Sequence, residues 1–153
     1  MIKRDQLPVV GWRELVHLDE LGLHAIPAKI DTGARTSSLH GTVLEEFERD
    51  GESYVRFAID FPQQQVRQVC EAIHVDIRGI TSSNGETQRR YVIKTPLRIG
   101  DVTFRAEISL ANRGNMKFPM LIGRSSLRRR FVVDSGYSWL QTPERKTTRG
   151  HKP

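Results

Sequence analysis

Apolar and polar residues alternate with a period of two along most of the chain, the spacing of a half-buried β-strand. Ile26, Ala28 and Ile30 fall on one face and Pro27 and Lys29 on the other. Pro27 has no N–H to give a ladder and so points to an edge position or a strand start. Ile73, Val75 and Ile77 stand opposite His74, Asp76 and Arg78, while the strand over 9–18 separates its faces only in part. Further strands are expected at 42–48, 53–61, 87–99, 102–110 and 118–122, with short closing strands at 131–133 and 137–140. Turn chemistry divides them at Arg49-Asp50-Gly51, Asn84-Gly85, Gly100-Asp101 and Asn112-Arg113-Gly114-Asn115. Asn84-Gly85 predicts a type I′ hairpin turn, which needs positive φ at both central residues. Only Ser125–Arg130 reads as helix, with Ser125 or Ser126 as its N-cap. Short strands with turns about every 8–12 residues predict an all-β barrel or sandwich.

The chain of 153 residues suits one domain, expected over 1–140. From Gln141 onward it is polar and carries Arg145, Lys146, Arg149 and Lys152, so 141–153 reads as a basic, disordered tail. With 37% hydrophobic and 27% charged residues the chain is too apolar for disorder and too polar for a membrane protein. No apolar run approaches the roughly 18 residues of a spanning helix, and no apolar segment follows the basic start. The single cysteine, Cys70, excludes an intrachain disulfide, fits a reducing cytoplasm and reads as a small apolar filler. A net charge of +6 attracts polyanions such as nucleic acid, anionic lipid or an acidic protein segment.

Several chemistries are excluded by pattern. The sequence has no phosphate-binding G-x-x-x-x-G-K element, no G-x-G-x-x-G, no H-E-x-x-H and no G-x-S-x-G. His17, His24, His40, His74 and His151 show no metal-ligand spacing, so no metal and no cofactor is expected. Ser37, Ser38 and His40 follow Asp31 closely, but serine triads are assembled in space rather than by adjacency. Arg128-Arg129-Arg130 and the basic tail read as solvated charge before they read as a nucleic-acid surface, and no basic-aromatic interleaving supports the latter.

The informative stretch is Ala28-Lys29-Ile30-Asp31-Thr32-Gly33-Ala34, an alternating strand that ends in an acid, a hydroxyl, a glycine and a small residue. An aspartic peptidase needs a carboxylate on a rigid turn at a cleft. Thr32 can hold the loop through its hydroxyl, Gly33 permits close approach, and Ala34 adds no bulk. The second stretch is Phe118-Pro119-Met120-Leu121-Ile122-Gly123-Arg124, an apolar strand closed by a glycine and an arginine before the helix. Asp134-Ser135-Gly136 is a rival acid motif, but too little chain follows it to build a second lobe, and it reads as a turn between closing strands.

Together, Asp31-Thr32-Gly33-Ala34 and Leu121-Ile122-Gly123-Arg124 resemble the two signature elements of retropepsins, the single-lobe dimeric aspartic peptidases. Gly11-Trp12-Arg13-Glu14, Lys29 through Ser37, Arg90 through Leu97 and Asn112 through Arg124 extend this to the bacterial retropepsin-like endopeptidase family, which often carries the name "ATP-dependent zinc protease". The resemblance implies a small closed barrel with one short C-terminal helix. It implies Asp31 as the catalytic acid, shared across a homodimer, with Thr32, Gly33 and Ala34 supporting the catalytic loop. Arg35, Leu121, Ile122, Gly123 and Arg124 would shape the cleft and the dimer, and the Asn84-Gly85 hairpin would be the flap. Arg35 stands where viral relatives place an acid that pairs with the arginine matching Arg124, so that pair cannot form here. Members of the family tend to occur beside an ATP-grasp ligase that adds glutamates to a ribosomal protein, which makes a Glu-rich segment an expected substrate. The competing reading is a non-catalytic module that holds an acidic partner, RNA or the ribosome.

Overall fold

In the computed structural model, the described residues are 6–61, 66–81, 84–111, 117–143, 145 and 148–149. The chain runs β1 (Val9–Val10), β2 (Arg13–Leu18), a single 3-10 turn (Asp19–Leu21), β3 (Leu23–Ile30), β4 (Ser37–His40), β5 (Thr42–Arg49), β6 (Glu52–Phe61) and β7 (Val66–Thr81). It continues through β8 (Thr87–Ile99), β9 (Val102–Ala111), β10 (Met120–Ile122), α1 (Arg124–Leu127), β11 (Val132–Val133), β12 (Tyr137–Ser138) and β13 (Thr148–Arg149). The turn expected at Asn112–Asn115 lies outside the described residues.

Strands β2, β3, β10, β4, β9 and β8 follow one another around a ring, and β2 pairs with β8 to close it. The result is a six-stranded barrel, the all-β architecture the alternation predicts. Its interior is apolar: Val16, Ile26, Ile93, Ile108, Met120 and Ile122 are almost fully buried. Each such side chain stabilises the fold by about 1.5–3 kcal/mol. Beyond β8 the sheet continues as β7, β6 and β5. Val55, Phe57, Ile59 and Cys70 bury the inner face of this extension in the same core. Gln68 on β7 donates its amide to the carbonyls of Leu21 and Gly22 (3.3 and 3.1 Å), which ties the extension to the 3-10 turn. On the outer face Arg56 bridges Glu45 and Glu71, and Arg49 also holds Glu71.

Several expectations are corrected by the pairing. Pro27 lies inside β3, a strand flanked by both β2 and β10. Ile30 donates its N–H toward β2 and Asp31 toward β10, so by alternation the missing N–H of Pro27 faces the β10 side. The β10 ladder begins only at Ala28, and the proline removes no bond. Asp50 and Gly51 both have positive φ (54° and 80°), as a two-residue I′ turn requires. Of Asn84 and Gly85 at the other hairpin, Gly85 alone does (φ 87°), because the last strand pair is Thr81 with Thr87, too far apart for a two-residue turn. Helix α1 is shorter than expected and is capped by Gly123 rather than by a serine side chain.

The order also extends past residue 140. Glu14 is fully buried and accepts the N–H groups of Gly11 (2.7 Å), Leu140 (2.9 Å) and Gln141 (2.9 Å) and the hydroxyl of Thr142 (2.8 Å). The guanidinium of Arg13 lies 4.7 Å from the ring centres of both Trp12 and Trp139. Gln141 and Thr142, read from the sequence as the start of a tail, are thus fixed to β2, and β13 pairs with β12.

Candidate active site

The loop 31–36 joins β3 to β4, and β10 is threaded between those two strands. β10 runs parallel to β3 (Ile122 beside Ile30) and antiparallel to β4 (Leu121 beside Ser38). This threading brings together two segments separated by about ninety residues of sequence, and it fixes the backbone on both sides of Asp31. Asp31 donates its N–H to the Ile122 carbonyl (2.9 Å), and Arg124 and Ser125 donate theirs to the carbonyls of Ala34 (2.8 Å) and Arg35 (3.0 Å). The Arg124 guanidinium donates to the Thr32 carbonyl (3.0 Å). Within the loop, Gly33 donates to Asp31 Oδ1 (2.9 Å) and Ala34 to the Asp31 carbonyl (3.2 Å).

Gly123 is demanded by this geometry. A Cβ there would sit 2.6 Å from the Thr36 carbonyl oxygen and 2.9 Å from that of Ala34. Beneath it, Ser37 Oγ accepts the Gly123 N–H (3.1 Å) and shares a hydrogen bond with Ser126 Oγ (2.7 Å), both serines being buried. The pairing of Ser37 with Ser126 is not legible in the sequence. The run of hydroxyl residues at 36–38 was visible, but its partner lies 89 residues away.

Asp31 is half-buried at a cavity of about 290 Å³ that it shares with Trp12, Lys29, Thr32, Val133 and Ser135. Its Oδ1 is held by Gly33, and no hydrogen bond to Oδ2 is formed among the described residues. The Thr32 side chain is exposed, and it is the Thr32 carbonyl that secures the loop. A second cavity, of about 680 Å³, adjoins Thr32 and is lined by Arg35, Arg124, Leu127, Phe131 and Val133. Arg35 is exposed, and Arg124 is engaged by the loop carbonyl, so the two cations do not compete for one partner. Gly79 and Ile80, from the β7–β8 hairpin that carries Asn84 and Gly85, face Arg35 and Thr36 across a further cavity.

The Asp134 turn repeats the local geometry. Asp134 donates to the carbonyl of Val10 on the parallel neighbour strand (2.9 Å), and Gly136 donates to Asp134 Oδ1 (3.0 Å). It links β11 to β12, the bland role its sequence context suggests.

One cluster could not be read from spacing. His17, Asp19 and His24 meet around the 3-10 turn, their ligand atoms within 4.8 Å of one another. His17 Nδ1 accepts the Ala25 N–H (3.1 Å), which places the proton of a neutral ring on the other nitrogen. Asp19 is engaged by Arg98 (3.0 and 3.5 Å) and by His24 (3.0 Å). The Arg98 hydrogen bond holds the Asp19 carboxyl below its ordinary value. Arg98 thus engages both oxygens of Asp19, and His24 one of them.

Comparison with known proteins places this arrangement. Residues 9–144 match the family model described as the retropepsin-like aspartic endopeptidase RimB. Proteins named probable alpha-L-glutamate ligase are also similar. The one from Shewanella pealeana is 39% identical over 134 residues, and the one from Desulfotalea psychrophila is 38% identical over 128. These stretches cover 86% and 82% of this chain but only 29% and 28% of the relatives, so the chain spans less than a third of their length. Among solved structures, the Legionella pneumophila protein Lpg0085, of unknown function, superposes with a TM-score of 0.73 at 26% identity, covering 86% of this chain and 96% of that one. The acid loop, the threaded strand that fixes it and the match over residues 9–144 make this chain a member of the RimB-like family of retropepsin-like aspartic endopeptidases.

Proposed function

We propose that the protein hydrolyses peptide bonds as an aspartic endopeptidase, with Asp31 as its catalytic acid. The observation that carries this reading is the carboxylate of Asp31 on an immobilised loop, one oxygen held by Gly33 and the side chain bordering a cavity. The mechanism needs two carboxylates that share one proton, and the described residues supply one acid loop of this kind with its threaded strand. The working form is therefore a homodimer, with one Asp31 from each copy at the two-fold axis. Like charges this close do not both ionise, so one carboxylate is the base and the other the acid. The ionised Asp31 takes a proton from water as the water oxygen attacks the carbonyl carbon, and the protonated Asp31 gives its proton to the carbonyl oxygen. Collapse of the tetrahedral species with a proton passed to the amide nitrogen breaks the C–N bond and releases acid and amine. The exposed Thr32 and the neighbouring cavity with Leu127, Phe131 and Val133 offer the second copy a surface beside the acid.

The +6 charge and the exposed Arg35, four residues from Asp31, favour an acidic substrate segment. The similarity to proteins named glutamate ligases points the same way and suggests a working link with an ATP-grasp ligase or its ribosomal-protein product. The same two observations favour the second reading, a regulatory module that binds an acidic partner without cutting it. Sedimentation combined with activity separates the readings. Specific activity that rises with protein concentration over the range where dimers form supports the shared site. A strict monomer with full activity overturns the shared site, and a purified dimer inactive on acidic peptides favours the binding module.

A further inference from the structure

A cavity of about 730 Å³ lies between the acid loop and the β7–β8 hairpin. Arg35 reaches it from the loop, Arg78 from β7, Lys94 from β8, and Arg105 with Glu107 from β9. Among the described residues, four cations therefore line one concave site with a single carboxylate. Arg78 is already committed, donating to Asp76 (2.6 Å) and to Glu107 (2.7 Å). Lys94 stands opposite Glu107 in the β8–β9 ladder, but Arg78 holds that carboxylate. Arg35, Lys94 and Arg105 make no ion pair among the described residues. Three uncompensated cations from three separate elements repel one another, and a cleft of one sign focuses its field on an incoming anion.

We propose that Lys94 and Arg105, with Arg35 at their edge, form a subsite that reads carboxylate side chains of a bound peptide away from the scissile bond. Neither Lys94 nor Arg105 belongs to the acid motif or to the Gly-Arg motif. Naming a peptide as the occupant rests on the peptidase reading; the anion preference rests on the cavity alone. Arg35 links the two, since it lines both this cavity and the one that adjoins Thr32, next to Asp31. Among the described residues no aromatic side chain lines the cavity, so they offer no platform for stacking bases, and a polypeptide fits better than a nucleic acid.

The test is binding of labelled hexaglutamate to Asp31→Asn protein at low salt, which separates recognition from cleavage. Lys94→Gln with Arg105→Gln is expected to weaken binding by about tenfold or more, as charge-assisted hydrogen bonds are lost. Arg67→Gln removes a charge from an exposed position on β7 outside the cavity and is expected to change binding by less than about twofold. Equal weakening by Arg67→Gln, or none in the double variant, overturns the subsite. So does an oligothymidylate of matched charge that binds as tightly and loses as much. On the unmodified chain, carbodiimide coupling of hexaglutamate should concentrate on Lys94, and coupling spread evenly over Lys29, Lys94 and Lys117 overturns the proposal without any variant. Hydrolysis that persists in Asp31→Ala defeats the peptidase reading and leaves these binding results standing. Asp31-dependent hydrolysis with indifferent binding defeats the subsite alone.

Discussion

Replacing Gly123 by alanine tests how the fold holds the acid loop. The new Cβ meets the Thr36 carbonyl oxygen at 2.6 Å, its carbon at 2.7 Å and the Ala34 carbonyl oxygen at 2.9 Å. All three are backbone atoms, so no side-chain rotation relieves the clash. Ordinary contact starts near 3.4 Å, and relief demands a displacement of roughly 0.8 Å between α1 and the loop. Such a shift stretches the Arg124 N–H bond to Ala34 (2.8 Å) and the Gly123 N–H bond to Ser37 (3.1 Å) beyond useful length. Overpacking costs about 1–3 kcal/mol, and each backbone bond about 0.5–1.5 kcal/mol. The expected loss is about 2–6 kcal/mol, or a drop in Tm of about 4–24 °C for a chain of this size. A displaced carboxylate adds about a hundredfold loss in kcat/KM. Thermal denaturation and peptide hydrolysis measure the two effects. Gly79→Ala is the control, since its Cβ meets one side-chain atom, Thr87 Cγ2, at 3.3 Å and no backbone within 4 Å among the described residues, and its stability should stay within about 1 kcal/mol. A Gly123→Ala protein as stable and as active as the parent would refute the reasoning.

Glu14→Gln should cost about 2–4 kcal/mol, because an amide cannot accept from all four buried donors; urea denaturation checks this, and an unchanged midpoint contradicts it. Stability should fall in acid. The hydrogen bonds of Arg56 on Glu71 and of Arg78 on Asp76 hold these carboxyls below their ordinary values of 4.5 and 3.8. The native state therefore binds fewer protons than the unfolded chain, and this contribution, full above those values, is lost as pH drops below them. A Tm at pH 3 equal to that at pH 7 would contradict it. Burial pushes the Cys70 thiol up to about 11, so native protein should resist thiol reagents at pH 8, with labelling only on unfolding. Rapid stoichiometric labelling of folded protein would show the site to be open.

What was legible in the sequence was local. Asp31 through Ala34 and Leu121 through Arg124 each carry their chemistry within a few residues, and the alternation over Ile26–Ile30 and Ile73–Arg78 marked strands that exist. What was illegible depended on distant partners. β4 was missed because Ser37 and Ser38 are polar yet buried, and the Ser37 hydroxyl serves a glycine and a helix almost ninety residues later. Glu14 stood in a visible motif, but the donors that make it a clamp on the C-terminal segment lie 126 to 128 residues on. The serine cap expected for α1 failed because Ser126 bonds to Ser37 and Gly123 begins the helix. The His17, Asp19 and His24 cluster arises where a 3-10 turn folds the chain back, which no helical or zinc spacing encodes.

If Asp31 performs the chemistry, Asp31→Asn removes it. The substitution is nearly isosteric and keeps an oxygen for the Gly33 N–H, so thermal denaturation should confirm a folded protein. Hydrolysis of acidic peptides by the purified variant is expected to fall by at least about a thousandfold in kcat/KM. A folded Asp31→Asn protein that cuts these peptides at the parent rate would contradict it.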